Sequence, residues 1–419
     1  MIGAGILRTP ADVATALPVP ALFLSAWLIG GTYALLGANA LAELGTMLPR
    51  SGGQYVFVRH ALGPFAGFLV GWNDWISSCG SVAAIALVEG EAIGSLFPSL
   101  SRQAVVIAAV LVAVVTLILW RGVRESDRTQ RVTSVLKALV LLALVAACFV
   151  ARAVGVNVPD AIAAPGAIPA GAALVGAFFV ALPGVIYSYD GWTGVIYFSE
   201  EVQEGERNIP RALLLGVLSV IALYLLLNIA FLAVLPVQVI ARSPMVATSA
   251  ATAVFGPRGG MLVDLIIVIA LPSAVVANLL LASRVSFALA RDGAAPRALA
   301  NVNAGGTPGT ALLASSVVTA LFLLTGAFQR IIAICAFMFV AAYAMSFASV
   351  FVLRWREPGM PRPYRAWGHP WTTALVLAGS LAFLGGVVAA DPRTGVLALG
   401  IVAISYPAYR LMASGQRVA

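Results

Sequence analysis

Run after run of apolar residues, each about as long as a membrane is thick, constrains this chain more than any other feature. The hydrocarbon core of a bilayer is ~30 Å deep and a helix rises ~1.5 Å per residue, so ~20 apolar residues cross it. Full spans are expected near 22–44, 63–88, 104–120, 132–151, 171–199, 211–235, 260–288, 309–326, 331–354, 373–390 and 395–412. A shorter element, from about Gly5 to Leu17, precedes them and is stopped by Pro18 and Pro20. Only 10% of the 419 residues are charged and 61% are hydrophobic, whereas a soluble domain carries about a quarter charged residues. The runs are rich in Ala and Leu and lack the ~10-residue alternation of an outer-membrane barrel. The expected fold class is all-α integral membrane, with eleven full spans and a partial first helix.

Several other classes drop out. Cys79, Cys148 and Cys335 all lie inside apolar runs, which suits small buried hydrophobes better than disulfides or metal ligands. His60 and His369 are far apart, so no zinc motif forms, and no metal or cofactor is expected. The net charge of +8 does not suggest nucleic acid, because the arginines sit in short loops between spans. One set of alternate loops, with the C-terminal tail, holds seventeen arginines, among them Arg50, Arg124, Arg207, Arg291, Arg356 and Arg417. The opposite set holds six: Arg102, Arg152, Arg242, Arg258, Arg330 and Arg393. Basic loops stay on the cytoplasmic side, so the expectation is a multi-pass protein of the cell inner (cytoplasmic) membrane with its C-terminus inside.

Two helix breaks carry the functional reading. Met1-Ile2-Gly3-Ala4-Gly5-Ile6 opens the chain with two glycines just before the short first helix. In the span near 171–199, Pro183-Gly184 is expected to loosen the helix, and Tyr187-Ser188-Tyr189-Asp190-Gly191-Trp192-Thr193-Gly194 places a carboxylate, aromatics and two glycines at membrane depth. Open backbone is tolerated in a membrane only where it is buried in protein or lines a cavity. The second break lies in the fifth full span after the first, as a five-plus-five inverted repeat would require, and paired interruptions of this kind point to a transporter site. A half-helix N-terminus suits a carboxylate, and a half-helix C-terminus, with its free carbonyls, suits an ammonium. Together they fit a zwitterionic amino acid. The glycines alone fit close helix packing equally well; an Asp inside an apolar span is harder to explain without function.

Lys137 is the only lysine and lies inside a span, ~9 Å beyond Arg131. It either snorkels to the interface or acts as a coupling group that exchanges a proton during the transport cycle. Asn73 and Asp74, near Trp72 and Trp75, either line a pathway or make interhelical hydrogen bonds, the second being favoured. Asp264 is expected to be solvated near a span end. Asn278 is a candidate lining residue and Tyr343 a candidate gate.

These residues resemble the amino acid–polyamine–organocation (APC) superfamily of transporters. Gly3-Ala4-Gly5-Ile6 is similar to the superfamily's unwound first-helix motif. Ala42-Glu43-Leu44-Gly45 through Pro49-Arg50-Ser51-Gly52-Gly53-Gln54-Tyr55 is similar to the signature after its second helix. Ala290-Arg291-Asp292-Gly293 and Arg362-Pro363-Tyr364-Arg365 match later patterns, and Tyr189-Asp190-Gly191-Trp192 followed by Glu200-Glu201 resembles the L-type amino acid transporter branch and its bacterial relatives. The resemblance implies a LeuT-type five-plus-five inverted repeat plus two additional helices, in one transporter domain over 1–419. The first repeat would occupy 1–151, the second 171–354, and the added helices 373–412. It implies alternating access, with the substrate carboxylate held around Gly3, Ala4, Gly5 and Ile6. The amino group would be held around Tyr189, Asp190 and Gly191, with Trp192 nearby, and Lys137 would stand where relatives bind sodium.

Departures from the pattern are Ala4 for Ser and Gln54 for Glu. A larger one is that relatives carry a half-helix before the Gly-x-Gly break. Upstream DNA is therefore expected to encode an in-frame apolar stretch of ~12–15 residues, and a chain starting at Met1 is expected to leave its site open to the cytoplasm. The expected function is secondary active transport of amino acids, proton-coupled or by exchange, with the substrate, protons and membrane lipid as partners. The alternatives are an amine or polyamine transporter of the same superfamily and a truncated, non-transporting membrane subunit. An enzyme is not expected, since no nucleophile–base pair or metal cluster lies at depth. Nor is a disulfide-linked partner, since the loop near 89–103 has no cysteine.

Overall fold

A computed structural model describes residues 3–50, 52–122, 127–155, 168–303 and 306–415. Met1 and Ile2 of the first break, Ser51 of the loop motif, Arg124 and Arg417 lie outside the described residues. The described chain is helical: α1 (Gly5–Ala16), α2 (Pro20–Met47), α3 (Gln54–Leu62), α4 (Pro64–Leu96), α5 (Ala104–Trp120), α6 (Asp127–Ala153), α7 (Ala172–Tyr189), α8 (Gly205–Val234), α9 (Val237–Arg242), α10 (Val246–Phe255), α11 (Pro257–Arg291), α12 (Gly309–Leu323), α13 (Phe328–Arg356), α14 (Trp371–Ala390) and α15 (Pro392–Gly415). A 3₁₀ segment, Trp192–Glu201, follows α7. Among the described residues, nine helices are long and apolar enough to cross a membrane, with shorter apolar helices at Ala104–Trp120, Val246–Phe255 and Gly309–Leu323.

The helix starts follow local chemistry. Pro20, Pro64 and Pro257 occupy first-turn positions, where the missing N–H costs no helical hydrogen bond. Gly63, at φ 96°, turns the chain between α3 and α4. α4 and α13 form the centre and are buried along most of their length. α4 packs against α5, α11, α12 and α13. The outer helices α11, α14 and α15 instead expose apolar side chains such as Ile269, Leu375 and Val396. In water that surface would be unfavourable; against lipid tails it is not.

Two expectations are corrected. The connection after α2 and the stretch 236–255 contain helices α3, α9 and α10; at 6 to 10 residues they are too short for a search for spans to find. Asp264 is not solvated. It is 1% exposed and accepts a hydrogen bond from Thr248 at 2.5 Å. Pro183-Gly184 lies inside α7, which continues to Tyr189. Gly184 serves a close approach: a β-carbon there would stand 2.5 Å from Thr9 Cγ2 of α1.

The loop motifs dock on one another. Glu43 of α2 is buried, and its carboxylate accepts from Arg354 Nε at 2.8 Å and from the Ala366 backbone N–H at 2.7 Å, with Arg362 Nε at 3.5 Å. Asn39, one turn earlier, accepts from the Tyr364 hydroxyl at 2.7 Å. Asp292 accepts from Tyr55 at 2.9 Å and Arg59 at 3.0 Å. Burial and the Asp292 carboxylate push the Tyr55 phenol up to about 12, so it stays a donor at neutral pH. The three motifs thus fasten the ends of α2, α3, α11 and α13.

Candidate functional site

α1 begins at Gly5 with no side-chain cap on Ala4. The first N–H groups of a helix have no intrahelical partners, and in α1 these include Gly5 and Ile6. Opposite, α7 stops at Tyr189. The chain opens at Asp190 (φ −58°, ψ 162°), turns through Gly191 in the left-handed region at φ 93°, and winds on as the 3₁₀ segment. A β-branched or bulky residue could not hold the Gly191 conformation without strain.

The two breaks face one cavity of about 430 Å³. Gly3, Ala4 and Gly5 line it from α1 and its approach; Tyr187, Ser188, Asp190 and Gly191 line it from α7 and the turn. Ser81 and Ile85 of α4, Gly216 and Val220 of α8, and Ala274, Ala277 and Asn278 of α11 complete the wall with Lys137 of α6. α1 and α7 are in close contact here, since a β-carbon on Gly5 would meet Ser188 Oγ at 2.5 Å.

The carboxylate of Asp190 accepts a hydrogen bond from the Tyr343 hydroxyl of α13. Tyr343 also lies against Trp192, with ring centroids 5.0 Å apart. The Tyr189 ring is turned away from the cavity and packs against Trp27 and Tyr224, 6.0 and 5.2 Å between centroids. Tyr224 donates to the Ser188 carbonyl at 3.2 Å. Lys137 reaches α11, where Nζ donates to Ser273 Oγ at 3.1 Å.

The structure therefore brings Gly3, Ala4, Gly5, Asp190, Gly191, Lys137 and Asn278 to one cavity. Ile6 is buried at 1% exposure and Trp192 at 5%, both behind the wall rather than on it. Tyr343 touches the site through Asp190. Asn73 is fully buried, and neither side-chain polar atom has a hydrogen-bond partner; it does not line this cavity. Its neighbour Asp74 makes the interhelical bond favoured for it, accepting from Tyr197 at 2.6 Å. Sequence reasoning passed over Ser81, Ile85, Gly216 and Val220. Ser77 and Ser78, each about one helical turn before Ser81 in an apolar span, were the available signal for α4.

About one turn beyond Gly5, Arg8 of α1 holds Glu91 of α4 through Nε at 2.8 Å and Nη2 at 3.3 Å. The same guanidinium lies 4.3 Å from the Phe328 ring centre, and Gln329 donates to Asp12 at 3.1 Å. Among the described residues no group of His, Cys, Asp and Glu could hold a metal ion.

Apolar spanning helices, with the start of α1 and the end of α7 meeting at one cavity that Asp190 and Lys137 also line, define a membrane transporter. A family model for amino acid permeases matches residues 1–404, and the chain belongs to that family, within the APC superfamily; it is an amino acid transporter. It is similar to the serine/threonine exchanger SteT of Bacillus subtilis (strain 168), 29% identical over 423 residues that cover 98% of this chain and 92% of that one. The human large neutral amino acids transporter small subunit 2 is 29% identical over 387 residues, 87% of this chain and 69% of that one. The mouse b(0,+)-type amino acid transporter 1 is 26% identical over 371 residues, 87% and 75% of the two chains.

Proposed function

We propose that the chain carries small neutral amino acids across the cytoplasmic membrane by alternating access, as an exchanger or with protons. The single observation that supports this most is the facing of the uncapped α1 start and the open turn at Asp190-Gly191 across one cavity. The N–H groups of Gly5 and Ile6 and the positive end of the α1 dipole would take the substrate carboxylate. The Asp190 carboxylate and the open carbonyls around Gly191 would take the ammonium. Ser81, Ile85, Val220 and Asn278 would face the substrate side chain. Trp192, behind the turn, moves with the 3₁₀ segment and acts as part of the gate with Tyr343.

In this reading the spans form two inverted sets of five, with α14 and α15 added. The arginine-rich loops and the C-terminus face the cytoplasm. The Arg8–Glu91 pair then closes the outer side. Lys137, joined to α11 through Ser273 beside the cavity, serves as the coupling cation. A relative named as a serine/threonine exchanger favours exchange of small polar or neutral substrates. Counterflow in proteoliposomes with a panel of radiolabelled amino acids tests the reading. Saturable exchange of small neutral members is expected; exchange of amines alone would replace it with the amine-transporter alternative.

A further inference from the structure

A second cavity, of about 290 Å³, lies along the same helices as the substrate cavity. On α11, Asn278 lines the first and Leu281, one turn on, lines the second. On α4, Ser81 lines the first and Asp74, two turns back and about 10 Å away, lines the second. The second cavity is rimmed by the exposed Arg284 and Arg291, so it opens toward the arginine-rich end.

Asp74 is 8% exposed. Its hydrogen-bond donor is the Tyr197 hydroxyl, at 2.6 Å. Tyr197 belongs to the 3₁₀ segment that begins at the Asp190-Gly191 turn. Beside it, Gln54 of α3 accepts from Ser346 of α13 at 3.0 Å. The Tyr197–Asp74 bond thus ties the segment that follows the substrate turn to the central helix, beneath the substrate cavity. Among the described residues no lysine, arginine or histidine forms an ion pair with Asp74. The titratable and charged groups facing it are Tyr197 and Asp190 around the turn, Tyr55 of α3, and Arg284 and Arg291 of α11 across the second cavity; from α13, Tyr343 bonds Asp190 and Cys335 bonds the Ser77 carbonyl one turn along α4.

A carboxylate taken out of water without a cation beside it is costly, and binding a proton removes that cost. In the ionised form the Tyr197 bond is charge-assisted, roughly twice as strong as a bond between neutral groups. We propose that Asp74 is a proton-binding site of the transport cycle, and that its occupancy sets the Tyr197–Asp74 link which holds the inner gate. This rests on the transporter reading above. The proton reaches the Asp74 carboxyl from the substrate cavity while that cavity is open outward and leaves through the second cavity to the cytoplasm, so that one proton crosses in each cycle; no bond other than that O–H forms or breaks. With Asp74 ionised the 3₁₀ segment is held to α4. With Asp74 protonated it is released, and the substrate cavity gains a way to the cytoplasm.

The full chain, reconstituted in proteoliposomes, tests this with two readouts: counterflow without a gradient, and accumulation driven by an imposed pH gradient. The wild type is expected to do both. Asp74→Asn is expected to lose accumulation by at least tenfold and to give a flat pH profile while counterflow stays measurable; Asp74→Glu restores part of both. Tyr197→Phe, which removes the donor and leaves the carboxyl, is expected to move the midpoint of the pH profile to more alkaline values. In detergent, the infrared band of a protonated carboxyl that grows on acidification is expected to shrink in Asp74→Asn, whether or not that variant transports. Accumulation by Asp74→Asn with the wild-type pH profile, or an unchanged infrared band, overturns the proposal. So does a wild type that exchanges but ignores the pH gradient. A wild type without counterflow of any amino acid overturns the transporter reading, and the proposal with it.

Discussion

Gly5 and Ser188 hold the two breaks against each other. A β-carbon on Gly5 would stand 2.5 Å from Ser188 Oγ and 2.9 Å from its Cα, inside contact with the α7 backbone itself. Gly3, two residues earlier, has nothing within 4 Å of the same construction. Gly5→Ala is therefore expected to push α1 from α7, costing about 1–3 kcal/mol of overpacking and lowering transport at least tenfold. Gly3→Ala should change apparent substrate affinity with little loss of stability. Thermal unfolding in detergent and concentration-dependent counterflow separate the two.

Lys137 spans from α6 to Ser273 of α11. Lys137→Ala leaves the cavity wall without its cation and is expected to remove the pH dependence of uptake and to slow exchange by at least tenfold. Unchanged uptake at every pH would remove Lys137 from the coupling role.

Glu43 is 1% exposed, and its side chain meets Arg354, Arg362 and the Ala366 N–H. Breaking a buried ion pair by removing one partner costs about 3–5 kcal/mol, because the other charge is left uncompensated. Glu43→Ala is expected to unfold well below the wild-type temperature. The double variant with Arg354→Ala should lose less than the two single losses added together, and chemical or thermal denaturation of the four proteins measures the coupling.

Arg8 and Glu91 join α1 to α4 beside Phe328. In Arg8→Gln that join is lost. A cysteine placed at Asn278, on the cavity wall, should then react several times faster with a membrane-impermeant thiol reagent added outside. The native Cys79, Cys148 and Cys335 are buried, which keeps the background low. An unchanged rate would show that the pair does not restrict outer access.

The long spans were legible because a membrane demands one apolar length, so α2, α4, α8, α11 and α13 fall close to where the runs of Leu and Ala place them. The first short helix was legible from Pro18 and Pro20, and the second break from Asp190 and Gly191. The faces of the helices were not legible. A span apolar all round gives no period, so beyond the serines of α4 nothing in the sequence turns Ile85 toward the cavity and Trp192 away from it. Asp264 was misread for a related reason: its partner Thr248 lies on α10, a helix too short and too mixed to stand out as a span. The loop motifs were recognisable by resemblance alone. Their physical reason, Glu43 with Arg354 and Asp292 with Tyr55, needed residues brought together from opposite ends of the chain.

The placement of the substrate's two charges is tested most directly by competition. Counterflow of a labelled neutral amino acid would be challenged with the parent compound, with its methyl ester and with its deaminated acid. An α1 start that takes the carboxylate and an Asp190-Gly191 turn that takes the ammonium predict that the parent competes and that each analogue competes at least a hundredfold less well. Equal competition by either analogue would contradict the placement of the charge it lacks.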